Sequence, residues 1–408
     1  MFYRFLILLL LIAINTSAEA PKAAKCPLVD DAFATAVRIR GLSKLKTVPC
    51  TVKDKKQVED FLKTETKKQL PKEKSDKESF VLKTLQSVPE SFDYESELIK
   101  LYLSNLGGYY DPSKKEYTMA GWMPDMMQAP IAVHELTHAL QDQHYNLLKL
   151  MDDKSLTTDM QLARSSLVEG DATAVMTDFT LGNAGDFKGI RAMESVDSMI
   201  LQNLIGASIS SQQGTVPQIL YNMLIFPYTS GFRFAHALLR KNGYASINKA
   251  FLRPPSSTEE ILHPEIYETG VPDYMVFNDF GVAESLGLDP KKIIYQDTLG
   301  EFFISALLSE ITKDSFAASS AAAGWGGDRV LIIGDEKDQK SWQLVYATAW
   351  DTDADANEFW NEWTRALEKK AGINGELKES DWSIKIGSKS IVIKKADRKV
   401  ITVVKNAI

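Results

Sequence analysis

Apolar residues recur at helical spacing through most of the first two-thirds of the chain and at alternating positions through the last third. The stretch LVDDAFATAVRIRGL reads as an amphipathic helix, and Asp54–Ser79, rich in Lys and Glu with sparse apolar positions, as a solvated helix followed by a linker. Leu98, Leu101, Tyr102 and Leu106 continue the helical period until Gly107 and Gly108 stop it. Two short β-prone pieces follow within Tyr109–Trp122, joined by Asp111-Pro112-Ser113, whose residue types favour a turn. Helical patterns then fill Met160–Phe179, Met193–Ile209 and Gln218–Asn242, the last with a potential break at Pro227. After Pro254-Pro255 a short helix restarts at SSTEEILHP with capping-box spacing from Ser257 to Glu260, and Pro264 ends it. Beyond AASSAAAGWGGD, which reads as a flexible connector, RVLIIGD and SWQLVYATAW alternate as strands. The helix ADANEFWNEWTRALEKKAG and the strand patterns WSIKIG, KSIVIKK and VITVV complete an α+β ordering without internal repeats.

With 408 residues the chain exceeds the usual span of one core. The pattern divides it into a leader at 1–20, an N-terminal helical segment at 21–88, a mostly helical domain with a small hairpin at 89–275 and a C-terminal α+β domain at 276–408. Composition is that of a globular protein, 44% hydrophobic and 25% charged with a formal net charge of −7, so nothing points to a nucleic-acid partner. The leader has a basic Arg4, an apolar run from Phe5 to Ile14 and small residues after it, the layout of an export signal. Cleavage after Ala20 or after Ala18 fits. The run is too short to span a bilayer, and Lys25 makes the sequence before Cys26 a poor lipoprotein signal, so no stable membrane anchor is expected after cleavage. Export to the periplasm or the medium agrees with two cysteines, Cys26 and Cys50, whose even count predicts a disulfide around the first helix.

Candidate chemistry concentrates in VHELTHALQDQHYNLL, which holds three of the five histidines. His134 and His138 match H-E-x-x-H. Residues four apart on a helix differ by about 40° in direction and about 6 Å along the axis, so two imidazoles can grip one ion, and Glu135 lies where it can take a proton from the attacking water. Ile131, Ala132, Val133, Leu136, Ala139 and Leu140 make the helix largely apolar, and two imidazoles buried in it without partners would be costly.

A hydrolytic zinc site needs a third protein ligand. His144 has the spacing of the metzincin pattern H-E-x-x-H-x-x-G-x-x-H, but Gln141 stands where that pattern has glycine, so the helix has no reason to turn back. On a continuing helix His144 lies about 9 Å beyond His138 and roughly 120° around the axis. Glu169 is favoured instead, a carboxylate in LARSSLVEGDATA, where small residues permit close helix approach; Asp171 and Glu194 are weaker candidates. His263 ends the short helix before Pro264. It either caps that helix or, with Tyr228 and Tyr267 as alternatives, donates a hydrogen bond to the oxyanion.

HELTHALQDQHYNL, LVEGDATA and PPSSTEEILHPEIY, in that order, resemble a group of bacterial metallopeptidase-like proteins of the gluzincin class over roughly Gly107–Tyr267. The resemblance implies a zincin-like domain in which His134, His138 and Glu169 hold Zn2+ and Glu135 is the general base. It departs from many gluzincins four residues after the glutamate, where they place an Asp that orients a histidine and this chain has Thr173. The hairpin fits an edge strand to which an extended peptide substrate can add. The expectation is therefore an exported zinc metallopeptidase acting on peptides or proteins. A metal-containing binding or scaffold protein of the cell envelope is the alternative, and a non-peptide amidase a third reading. Oligomeric state and substrate preference are not encoded in these patterns.

Overall fold

The helical spacing near the N-terminus becomes α1 (Val29–Arg40), α2 (Lys55–Gln69), α3 (Lys72–Thr84) and α4 (Tyr94–Asn105) in the computed structural model. The structure describes residues 7–10, 26, 28–151, 153, 155–182, 189–202, 216–270, 274–378 and 381–406. Most of the expected leader, with its cleavage positions, and the end of the expected helix Met193–Ile209 lie outside the described residues. Asp54 caps α2 with a reciprocal box to Gln57, as its residue type favours. The expected linker is instead α3. Its apolar face, Val81 and Leu82, is buried, and Lys77 is buried between Glu73 and Glu336, which satisfies a charge that composition alone places in solvent.

Strands β1 (Ile7–Leu10), β2 (Cys50–Lys53), β3 (Leu106–Asp111) and β4 (Glu116–Ala120) form a sheet in the order β1-β3-β4-β2. The expected hairpin is β3–β4, paired from Gly108↔Met119 to Asp111↔Glu116, with β2 parallel to β4. The Cys26–Cys50 disulfide forms, with a Cα–Cα distance of 5.9 Å, and ties the start of α1 to β2. On this sheet lies α5 (Asp125–Tyr145), whose Ala132, Val133, Leu136 and Leu140 share a core with Phe33 and Ala36 of α1 and with Tyr110, Tyr117 and Met119.

After α6 (Leu147–Met151) come two long helices, α7 (Thr158–Leu181) and α8 (Gln218–Asn242). Pro227 does not break α8, which runs on to Asn242. They cross with backbone in contact. A Cβ on Gly170 would overlap the Gly231 carbonyl, and one on Gly231 would overlap the Ser166 carbonyl, so only glycine fits at either position. Short helices α9 (Tyr244–Leu252), α10 (Thr258–Leu262), α11 (Pro264–Thr269) and α12 (Asp279–Ser285) lead to the last third.

There a seven-stranded sheet has the order β5-β6-β7-β11-β10-β9-β8, antiparallel at every pairing. Its strands are β5 (Ile293–Asp297), β6 (Trp325–Asp335), β7 (Asp338–Trp350), β8 (Glu376–Lys378), β9 (Asp381–Ile386), β10 (Lys389–Ala396) and β11 (Lys399–Asn406). Helices α13 (Gly300–Thr312), α14 (Ser315–Ala322) and α15 (Asp353–Ala371) pack with it. The expected flexible connector is ordered. Alanine is the best helix former, and α14 buries Ala318, Ala321 and Ala322, while Trp325 opens β6 fully buried. One apolar core runs from Val58 and Phe92 through Leu220 to Leu307, Trp350 and Val404, across both expected domain borders near 88 and 275. The fold is α+β, with a helical layer over a small sheet and a larger antiparallel sheet toward the C-terminus.

Candidate metal centre

The apolar pattern of α5 buries the H-E-x-x-H segment between the small sheet and α7, so His134, Glu135 and His138 have no solvent exposure and Glu169 on α7 is 4% exposed. Burial of polar side chains to this degree requires partners. The partners here are largely one another. His134 Nε2 lies 2.9 Å from His138 Nε2 and 3.1 Å from Glu169 Oε2, and His138 Nε2 lies 3.4 Å from the same oxygen. These three ligand atoms lie within 4.8 Å of one another, the arrangement that can hold a metal ion, with no other such group of three among the described residues. A tetrahedral ion with bonds of about 2.0–2.1 Å sets its donors about 3.3 Å apart, so two imidazoles and one carboxylate in this geometry suit such an ion.

Burial pushes the His134 imidazole down to about 4 and that of His138 down to about 3, so both are neutral and offer a lone pair. The Glu169 carboxyl is pushed up by burial, against hydrogen bonds from His134 and Tyr228. Glu135 is not part of the triad. Its Oε2 accepts a hydrogen bond from the Tyr110 backbone N–H of β3 at 2.7 Å, and its Oε1 has no hydrogen-bond partner among the described residues. Burial, then the charge of Glu169, raises its carboxyl well above the usual range, overriding the Tyr110 bond.

His138 is oriented by Gln141, one turn beyond it on the same helix face. With Nε2 facing the triad, His138 Nδ1 donates to Gln141 Oε1 at 2.8 Å. Gln141 Nε2 in turn donates to the Val168 carbonyl at 3.0 Å and to Asp171 Oδ2 at 2.9 Å. Asp171, fully buried, accepts from Arg40 Nε on α1 at 2.8 Å. A buried chain of contacts thus runs from the N-terminal helix to a triad imidazole. Reading spacing alone misses it, although the substitution of Gln for the pattern glycine was the visible signal. His134 Nδ1 has no such partner among the described residues.

The remaining candidates separate. Tyr228 on α8 is brought to the triad by the Gly170–Gly231 crossing; its ring stacks 6.3 Å from that of His134, and its hydroxyl bonds to Glu169. His263 does not join the triad. Its Nε2 pairs with Glu301 of α13 at 3.0 Å, which holds its imidazole above the usual range. The Tyr267 hydroxyl is given to the Arg253 carbonyl. His144 points to the Ser43 carbonyl at 2.9 Å, away from the triad as helical continuation requires, and Glu194 is exposed. Asp171 serves Gln141 and Arg40 rather than an ion.

Among known families, a domain of unknown function (DUF8575) matches residues 291–407, which covers the large sheet and its helices but not the triad. No curated protein and no solved structure matches the chain. Among the described residues no helix is long and apolar enough to cross a membrane.

Proposed function

We propose that this chain is an exported zinc metallopeptidase that hydrolyses peptide bonds. The observation that carries the reading is the convergence of His134, His138 and Glu169 beside a carboxylate, Glu135, that is outside the ligand set yet adjacent to it. When bound, zinc would supply a Lewis acid that polarises the scissile carbonyl and acidifies the attacking water. Glu135 takes the proton of that water. Its Oε1, without a hydrogen-bond partner among the described residues, suits the task, and the Tyr110 N–H holds the other oxygen still. Tyr228, whose ring lies beside His134, would turn its hydroxyl from Glu169 to donate toward the oxyanion, a role the sequence had favoured for His263.

Substrate would lie along β3 as an added antiparallel strand. The outer edge of β3 is paired with β1, from Ile7↔Tyr110 to Leu10↔Leu106, and β1 also packs against α5. Ile7–Leu10 belongs to the stretch expected to be removed on export, and its loss would free that edge.

The full burial of the triad favours a second reading, a metal-holding scaffold without proteolytic activity. A structural site needs ligands but no base, so Glu135 separates the two. Zinc content and casein cleavage by the leader-free chain, alongside Glu135→Gln, decide between them. The proposal expects about one zinc per chain in both proteins and cleavage only in the unsubstituted one. Zinc without cleavage in both would leave the scaffold reading, and no metal in either would remove both.

A further inference from the structure

Two sequence motifs not used by the metal centre, SSTEEILHP and AAAGWGGDRV, meet at a cavity. It has a volume of about 170 Å³ and lies between the start of α7, the segment 274–277, the loop before α10 and the start of β6. The glycines of GWGGD let it form. Met275 N–H donates to the Gly326 carbonyl at 2.6 Å, and a Cβ on Gly327 would collide with the Met275 backbone, so residues 274–277 can lie directly over the strand. Tyr274, Phe277 and Trp325 supply aromatic surface, with the Tyr274 and Trp325 rings 6.0 Å apart.

The polar side of the cavity is acidic. Asp159, 1% exposed, lines it and receives the Thr258 N–H at 2.9 Å and the Thr258 hydroxyl at 2.6 Å, both on Oδ1, while Oδ2 takes no hydrogen bond from a described residue. Asp328, also lining it, is satisfied by the N–H groups of Leu299 and Gly300 and by the Trp325 indole. Nearby cations are committed elsewhere: Arg329 is held by both oxygens of Asp279, and His263 by Glu301. Burial first, then the charges of Asp328 and Glu301, push the Asp159 carboxyl up to about 8 against the Thr258 bonds. Burial favours the neutral acid while no described cation pairs with Asp159, and an organic cation entering the aromatic-walled space would stabilise the ionised carboxylate instead. Its acids do not gather as a metal-ligand set; the triad is the only such group among the described residues.

We propose that this cavity binds a primary ammonium or guanidinium group, with Asp159 as its counterion and Tyr274, Phe277 and Trp325 as its walls. Asp159 lies ten residues before Glu169 on α7, about 15 Å along the helix axis, so this is a site separate from the triad. The space suits the end of a side chain or a small amine, since an apolar cavity of about 150 Å³ accepts a molecule of benzene size. The proposal does not depend on the triad being catalytic.

The test is a titration of the full chain with n-butylammonium, n-butylguanidinium and neutral 1-butanol, followed by ligand-observed NMR and calorimetry. The cations are expected to bind and the alcohol not. Asp159→Asn keeps an acceptor for Thr258 and is expected to weaken cation binding by about ten- to a hundredfold, the range of a charge-assisted hydrogen bond. Tyr274→Ala, on the partly exposed wall, is expected to weaken it less. Zinc content should not change in either variant. A peptide carrying an internal lysine and free cadaverine distinguish a side chain from a free amine as the source; binding of either supports the site. Equal binding of 1-butanol, unchanged affinity in Asp159→Asn, or no cation binding by the unsubstituted chain overturns it.

Discussion

Replacing Gln141 by Leu tests whether the chain Arg40–Asp171–Gln141–His138 orients His138 as the proposed zinc ligand. Leu is close in size and removes three contacts: His138 Nδ1 to Oε1 at 2.8 Å, and Nε2 to Asp171 at 2.9 Å and to Val168 at 3.0 Å. Gln141 and His138 are both fully buried, so water cannot substitute. Asp171 retains Arg40, so no charge is left alone. The stranded Nδ1–H costs about 1–3 kcal/mol of stability. Loss of a partner that orients a metal-ligating imidazole typically lowers metal affinity by about 10- to 100-fold, roughly 1.4–2.7 kcal/mol. Competition with a chromogenic zinc chelator measures the affinity and a thermal melt reports the fold. His144→Ala is the control, since that imidazole reaches only the Ser43 carbonyl and should leave zinc affinity alone. If Gln141→Leu melts cooperatively and binds zinc as tightly as the unsubstituted chain, the orienting role is refuted. If His144→Ala loses zinc instead, the ligand set itself is wrong.

Other expectations follow from the same geometry. Glu169→Ala should reduce zinc binding strongly, because it removes one of three donors; zinc retained at full affinity would show that Glu169 is not a ligand. Gly231→Ala forces α7 and α8 apart beside Glu169 and Tyr228, with an expected overpacking cost of about 1–3 kcal/mol and weaker zinc binding, read by melts and chelator competition. Cys26 and Cys50 should resist thiol reagents until reduced, and reduction should cost about 3 kcal/mol for a loop of this length; stoichiometric labelling without reductant would contradict the disulfide. His263→Ala should leave turnover unchanged, in contrast to Tyr228→Phe. Because Glu301 raises the His263 pKa in the fold, the stability it contributes is full below its ordinary value of about 6.5 and is lost as pH rises through the raised folded value. A stability deficit in His263→Ala that instead grows with pH would reverse this assignment.

Local patterns carried much of the outcome. The period of the apolar residues placed α5, α7, α8 and the long strands of the C-terminal sheet, the cysteine count gave the disulfide, and four-residue spacing put His134 and His138 on one face. These features are short-range, because a helix or strand imposes its repeat on neighbouring residues whatever packs around them. The small residues around Glu169 and the missing glycine at Gln141 pointed to the third member of the triad and away from His144. What remained needed residues distant in sequence to meet. Asp171 and Arg40 are 131 positions apart, and His263 and Glu301 are 38 apart, so no spacing rule could reveal that one pair supports the triad and the other draws a candidate residue away from it. The segments read as linker and connector became α3 and α14 for the same reason. Their charges and alanines are ambiguous alone, and Glu336 with the core under Ala318 and Ala322 decides that they fold. Burial is a property of the assembled chain, and burial determines which polar groups must find partners.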